Sequence, residues 1–165
     1  SVAISVNVSV IQLMEDNFIE QLDKVLATSG LAPERLHLEV TESVFADNKQ
    51  KLSEQVNAIK SRQVAVSIDD FGTGFSSLSQ LQLLHFDHIK IDRSFINNLD
   101  STGEPIIRAT LLIAGEFGCK TIAEGVETEN QATRLKAMGV DCLQGYYYAR
   151  PEREESLGRW FDTEK

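Results

Sequence analysis

Cysteine and long apolar runs are scarce in this sequence. Only two cysteines occur among 165 residues, Cys119 and Cys142, and their spacing fits neither a zinc site nor a redox pair. No apolar run is long enough to cross a bilayer, and no signal-peptide pattern is present. We therefore expect a cytoplasmic protein without membrane insertion, whose two thiols are reduced and lie in the core.

Positively charged residues are also few. The 16 lysines and arginines face 25 aspartates and glutamates, which gives a formal net charge of -9. This balance argues against a DNA or RNA polymer, or an anionic membrane surface, as the partner. An anionic ligand would need a mediating cation, and a metal ion is the obvious candidate.

The chain has the length and the ordinary composition of one globular domain. Strand-like and amphipathic helical stretches alternate along it, which predicts a parallel sheet with helices outside. The expected strands are 2–8, 36–40, 64–68, 87–91, 120–123 and 140–143. Helices are expected after each strand, including one around 78–84 and a final one around 157–161. Because the sequence starts at Ser1 within a strand-like run, we expect a piece of a longer polypeptide.

Two architectures fit such a sheet: an open doubly wound sheet and a (β/α)8 barrel. A polar residue stands at or near the carboxyl end of every expected strand. These residues are Asn7, Glu39, Asp69, Lys90, Glu124 and Gln144. In an open sheet, strands far from the switch point have no reason to end in a functional side chain, whereas all strand ends of a barrel meet at one mouth. We therefore expect a TIM-like barrel that lacks about two of its eight βα units.

The pair Asp69-Asp70 follows a strand and precedes two glycines, Gly72 and Gly74, that allow a tight loop. A solvated turn is the simplest interpretation of such a pair. Asp70-Phe71-Gly72 also matches a kinase tripeptide, but no phosphate loop or His-Arg-Asp motif accompanies it.

A shared mouth would bring together several oxygen ligands, which suit Mg²⁺ or Mn²⁺ better than zinc. The candidate ligands are Asn7, Glu39, Asp69, Asp70 and Glu124. Two such ions are the usual device for phosphodiester hydrolysis. Lys90 would orient or deprotonate the attacking water, or balance the charge of the carboxylates.

Each candidate also has a simpler explanation when taken alone. Asn7 is typical of turns, Glu39 and Glu42 would suit a helix N-terminus, and Lys90 would suit a structural ion pair. Glu127 would complement the dipole of the helix after Thr128, and Gln144 would satisfy backbone groups.

Six motifs in order resemble those of the EAL domain family, the cyclic di-GMP phosphodiesterases. They are Val6-Asn7-Val8-Ser9, Leu38-Glu39-Val40-Thr41-Glu42-Ser43, Ile68-Asp69-Asp70-Phe71-Gly72-Thr73-Gly74, Lys90-Ile91-Asp92-Arg93-Ser94-Phe95, Ala123-Glu124-Gly125-Val126-Glu127-Thr128 and Gln144-Gly145-Tyr146. The resemblance implies that residues 1–165 are the C-terminal three quarters of an EAL-type domain. It also implies a homodimer that hydrolyses cyclic di-GMP to the linear dinucleotide with two Mg²⁺ or Mn²⁺ ions.

The resemblance carries roles for individual residues. Asn7, Glu39, Asp69 and Glu124 would bind one metal ion, and Asp69 with Asp70 would bind the other. Lys90 would contact the attacking water, and Gln144 would line the site. Glu42 would steady the loop after the acidic pair, and Glu127 would have a supporting role.

One departure from the family is large, because the Glu-Ala-Leu motif is absent from these 165 residues. Its glutamate is a metal ligand in the family, so we expect this chain alone to be weak or inactive. An alternative is an inactive cyclic di-GMP receptor or signalling scaffold. The first and last strands would also be unpaired edges, which we expect to pair with another copy or to be covered.

Overall fold

The computed structural model describes residues 2–46, 48–74, 81 and 84–158. Six strands form one parallel sheet in the order of the sequence. They are β1 (Ile4–Asn7), β2 (Leu36–Thr41), β3 (Ala65–Phe71), β4 (His88–Ile91), β5 (Lys120–Ala123) and β6 (Cys142–Leu143). Because neighbours in sequence are neighbours in space throughout, the sheet has no reversal of strand order and therefore no switch point of the open type.

Helices connect the strands in the described part of the chain. They are α1 (Val10–Leu13), α2 (Phe18–Ser29), α3 (Lys49–Lys60), α4 (Arg93–Asn97), α5 (Glu104–Phe117) and α6 (Glu129–Met138). Short 3-10 turns cover Pro33–Arg35, Glu42–Ala46 and Glu154–Ser156, and a π-helical turn covers Leu99–Gly103. The helices expected around 78–84 and 157–161 lie largely outside the described residues.

The helix ends follow the expected sequence signals. Gly30, Gly118 and Gly139 end α2, α5 and α6 in the left-handed conformation that glycine adopts without a steric cost. Thr128 begins α6 in a capping box with Gln131, whose side chain accepts from the backbone N–H of Thr128.

The outer face of the sheet is apolar and packs against the helices, where Val40, Val66, Ile68 and Ile89 are almost fully buried. Side chains of a strand alternate between its two faces, so the residues between them point to the inner face. These inner-face residues are polar, and they include His37, Glu39, Ser67, Asp69 and Lys90. The polar residues His37, Glu39, Ser67, Asp69 and Lys90 of β2, β3 and β4 therefore share one face of the sheet.

Strand β3 is longer than expected, because it runs through the acidic pair to Phe71 instead of ending at Ile68. Its register with β4 shifts between Ile68 and Phe71, and Asp70 has a φ of 54°. Aspartate tolerates this left-handed conformation better than most residues. Asp70 is therefore the turning point of an irregular strand end, where it is exposed and begins a turn in which Thr73 N donates to its carbonyl oxygen at 3.3 Å.

The expectation that both thiols lie in the core is wrong for Cys142. Both cysteines are free, but Cys142 is exposed on β6, whereas Cys119 is half-buried and its Sγ lies 3.2 Å from the carbonyl oxygen of Phe86. β6 and β1 are the two edges of the sheet, as expected. On the outer face of β1, Val2, Ile4 and Val6 are between 44% and 49% exposed.

Candidate active site

Lys90 lies at the centre of the polar inner face. Its Nζ forms ion pairs with Glu39 Oε2, with Glu124 Oε1 at 2.7 Å and with Asp69 Oδ1 at 3.1 Å. The side chains of Lys90 and Glu39 are only 4% and 9% exposed. Three carboxylates and one ammonium thus share a pocket that is largely shielded from water.

Strand geometry explains why these four residues meet. Glu39, Asp69 and Lys90 lie on the adjacent strands β2, β3 and β4, and Glu124 follows the last residue of β5. Because the strands are parallel and adjacent, inward-pointing residues near their carboxyl ends converge. The expectation of a shared mouth is confirmed for these residues.

The surroundings of Lys90 keep it charged. Burial disfavours the ammonium, but the hydrogen bonds to Glu124 and Glu39 outweigh burial and raise the pKa of Lys90 well above its ordinary range. A protonated Lys90 donates hydrogen bonds and cannot accept a proton. The arrangement therefore favours a role in orienting groups and balancing charge over a role in deprotonating water.

Asp69, Asp70 and Glu124 form an acidic cluster, in which one oxygen of each lies within 4.8 Å of the others. Burial raises the pKa of Asp70, and the negative charges of Asp69 and Asp92 raise it further. Burial also raises the pKa of Glu124, although its hydrogen bond to Lys90 acts in the opposite direction. An all-oxygen donor set in which ionisation is costly without a counter-charge fits a hard divalent cation such as Mg²⁺ or Mn²⁺.

Glu42 holds the loop that follows the acidic pair. Its buried carboxylate accepts hydrogen bonds from the backbone N–H groups of Gly72 at 3.1 Å and Gly74 at 2.9 Å. A Cβ on Gly74 would lie 3.1 Å from the carboxyl carbon of Glu42, which is why glycine suits this position. Glu39 and Glu42 therefore have separate partners, and of the two only Glu42 lies in the first turn of a helix, the 3-10 turn Glu42–Ala46.

The remaining expected residues lie around this centre. Asn7 is exposed at the end of β1 and pairs in register with Glu39, so both side chains point to the same face. Glu127 and Gln144 line a cleft of about 220 Å³ together with Glu124 and Tyr146. The backbone of Gln144 is engaged as well, because its carbonyl oxygen accepts from Val126 N at 3.0 Å.

Two residues at this mouth were missed by the reasoning from strand ends. The negative charge of Asp92 helps to raise the pKa of Asp70, and Arg93 lines the same cleft as Glu127 and Gln144. Both directly follow β4, so the rule that polar residues gather at the carboxyl ends of strands would have included them.

The fold and the site together define a class of protein. A curled parallel sheet that carries clustered carboxylates and a buried lysine at its carboxyl end is typical of barrel enzymes, whose active sites lie at this end. The model of the EAL domain matches residues 1–151, and the chain belongs to the EAL domain family.

Individual relatives agree with this assignment. The chain is 40% identical over 159 residues to the bifunctional diguanylate cyclase/cyclic di-GMP phosphodiesterase MucR of Pseudomonas aeruginosa. The aligned region covers 93% of this chain and 23% of MucR. It is 34% identical over 161 residues to the probable cyclic di-GMP phosphodiesterase PdeN of Escherichia coli. This aligned region covers 96% of this chain and 31% of PdeN. The chain thus spans less than a third of either relative.

A solved structure of the PaMucR phosphodiesterase in complex with c-di-GMP matches with a TM-score of 0.88 at 39% identity, and the match covers 94% of this chain and 70% of that chain. The barrel expectation is therefore confirmed, because the six strands form part of the TIM-like barrel of EAL domains. None of the helices in the described ranges has the length and apolar character of a membrane span.

Proposed function

We propose that this chain supplies most of the active site of a cyclic di-GMP phosphodiesterase, which hydrolyses one phosphodiester bond to give the linear dinucleotide. The observation that carries the proposal is the convergence of Asp69, Asp70 and Glu124 beside the buried Lys90. MucR and PdeN, whose names include this activity, support the same substrate. The complex of PaMucR with c-di-GMP supports it as well.

The acidic cluster would hold two divalent ions, with Mg²⁺ or Mn²⁺ as the expected metals. Asn7, Glu39, Asp69 and Glu124 would bind one ion, and Asp69 and Asp70 would bind the other. The bound ions would lower the pKa of the attacking water and neutralise the charge that develops on the phosphate. Klebsiella pneumoniae BlrP1, which is 27% identical, has been solved as a manganese/cy-diGMP complex with a TM-score of 0.82 over 90% of this chain and 39% of that chain.

The protein residues around the cluster would position the reacting groups. The Nζ of Lys90 would donate hydrogen bonds to the attacking water, and its charge would limit the repulsion between the carboxylates. Glu42 would hold the loop after Asp70 in place through two backbone N–H groups. Gln144, Glu127 and Arg93 would contact the bound nucleotide in the cleft that they line.

The active protein would be a cytoplasmic homodimer, and this chain by itself would be weak or inactive. The reason for the low activity is that the Glu-Ala-Leu glutamate, a ligand in the family, is absent from the 165 residues. A receptor that binds cyclic di-GMP without hydrolysing it is the second candidate, and the same absence favours it if the natural protein also lacks that glutamate.

The test compares this chain with an extended chain that carries about 90 further residues upstream, enough to complete a barrel. Both are incubated with cyclic di-GMP and Mn²⁺, and the linear dinucleotide is measured. Product from the extended chain with little or none from this chain supports the proposal. Nucleotide binding without product in either chain supports the receptor, and neither binding nor product contradicts both candidates.

A further inference from the structure

The aromatic ring of Phe95 lies against the loop that follows the acidic pair. A Cβ built on Gly72 would be 3.2 Å from Phe95 Cε2 and 3.4 Å from Phe95 Cζ, so the ring touches the Cα side of Gly72. Gly72 has a φ of 93°, which glycine adopts readily and other residues rarely do. On its amide side, Gly72 donates its N–H to Glu42 at 3.1 Å.

This loop determines where the carboxylate of Asp70 points. Asp70 has a left-handed φ of 54°, and its carbonyl oxygen accepts from Thr73 Oγ1 at 2.8 Å. A non-glycine residue keeps such a conformation only when its surroundings hold it. Besides this hydrogen bond of Thr73, the described contacts that hold the loop include the hydrogen bonds to Glu42 on one side and the ring of Phe95 on the other.

Phe95 is itself held in place by packing contacts. It lies on α4 and packs against the buried cluster that includes Ile91, Ile96 and Ile107. Gly103 lies directly on its backbone, because a Cβ at Gly103 would be 2.0 Å from the carbonyl oxygen of Phe95. The same short segment starts with Asp92, which caps α4 through Ser94 N at 3.0 Å and lies beside Asp70. The segment therefore contacts the loop through Phe95 and carries the negative charge of Asp92, which helps to raise the pKa of Asp70.

We infer that Phe95 is a positioning residue, whose ring holds Gly72 in place and thereby keeps Asp70 aimed at the metal-binding cluster. The inference rests on the proposed function, since it takes Asp70 as a metal ligand. Phe95 is not one of the proposed metal ligands and would act through the backbone of Gly72. Its loss would weaken metal binding without removing a ligand, by about tenfold if it matches other residues that orient metal ligands.

The test uses the extended chain and the variant Phe95→Leu, with Phe18→Leu as the matched control. Phe18 is also half-buried, but it lies on α2 and packs against a different apolar cluster. Two quantities are measured without nucleotide: the Mn²⁺ dissociation constant by calorimetry, and hydrogen exchange at the amides of Gly72 and Gly74. Neither readout depends on hydrolysis.

Phe95→Leu is expected to bind Mn²⁺ about tenfold more weakly, with faster exchange at both glycine amides. Phe18→Leu is expected to match the wild type in both measurements. Wild-type affinity and exchange in Phe95→Leu, or equal losses in Phe18→Leu, would overturn the inference. If Phe95→Leu does not fold, Phe95→Met is tested instead. Misfolding of both variants would show that Phe95 serves only the hydrophobic core, and it would also overturn the inference. If the wild-type protein binds Mn²⁺ but forms no linear dinucleotide, the proposed function is contradicted. The role of Phe95 can still be tested, because Mn²⁺ affinity and hydrogen exchange do not depend on hydrolysis.

Discussion

Lys90 donates a hydrogen bond from Nζ to Glu39 Oε2 across 51 positions of the sequence, and both side chains are more than nine-tenths buried. A buried ion pair costs much to desolvate, and its members are left in an unfavourable state when one partner is removed. Removal of Lys90 would therefore leave the buried Glu39 carboxylate without its ion-pair partner.

Replacement of Lys90 by methionine is expected to lower the free energy of unfolding of the metal-free extended chain by about 3–5 kcal/mol, because buried carboxylates lose their counter-charge. Urea unfolding at neutral pH measures the change. The control is Lys51→Met, which removes a more exposed pair with Asp16 and should change the free energy by about 1 kcal/mol or less. Equal stabilities of the wild type and Lys90→Met would show that the buried ion pairs do not contribute.

This contact also shows what the sequence could reveal. Alternation along β2 and β4 places Glu39 and Lys90 on one face, and the order of parallel strands brings them together. The left-handed backbone of Asp70 and the register shift of β3 could not be predicted from this alternation. The pattern of side chains along a strand does not show where the backbone departs from regular strand geometry. The exposure of Cys142 was likewise missed, since it depends on which strands flank β6.

Asp70→Asn is expected to raise the stability of the metal-free extended chain at neutral pH. The pKa of Asp70 is raised in the folded state by burial and by the charges of Asp69 and Asp92, so ionisation of Asp70 destabilises the fold. The destabilisation grows as the pH rises from the ordinary value of 3.8 through the raised pKa, and it is absent below 3.8. Asparagine also tolerates the left-handed backbone.

Thermal unfolding of the two proteins over this pH range, with and without Mn²⁺, tests the prediction. Mn²⁺ should stabilise the wild type more than Asp70→Asn. Glu116→Gln, a substitution of an exposed residue on α5, serves as the control and should follow the wild type. A lower melting temperature of metal-free Asp70→Asn at neutral pH would contradict the assigned direction of the pKa shift.

Asp141 stabilises the opposite end of the sheet. Its Oδ2 accepts hydrogen bonds from Thr121 N and Thr121 Oγ1, each at 2.8 Å, and Thr121 is only 1% exposed. Asp141→Ala is expected to lower the free energy of unfolding by about 1–3 kcal/mol, because buried donors of Thr121 lose their acceptor. Urea unfolding at neutral pH measures this loss.

The effect of Asp141 should depend on pH. The backbone hydrogen bond from Thr121 lowers the pKa of Asp141 more than burial raises it. A lowered pKa gives stability that is present above the ordinary value of 3.8 and is lost as the pH falls through the lowered pKa. The difference between the wild type and Asp141→Ala should therefore shrink below that pH, and a difference that grows there would refute the argument.

Hydrolysis of cyclic di-GMP at the acidic cluster is proposed, and product formation by the extended chain in Mn²⁺ tests it most directly. The wild type, Glu124→Gln and the exposed control Glu116→Gln are compared by the rate at which they form the linear dinucleotide. We expect the wild type and Glu116→Gln to have equal rates and Glu124→Gln to be slower by about a hundredfold or more. No product from the wild type, or an unchanged rate for Glu124→Gln, would contradict the account.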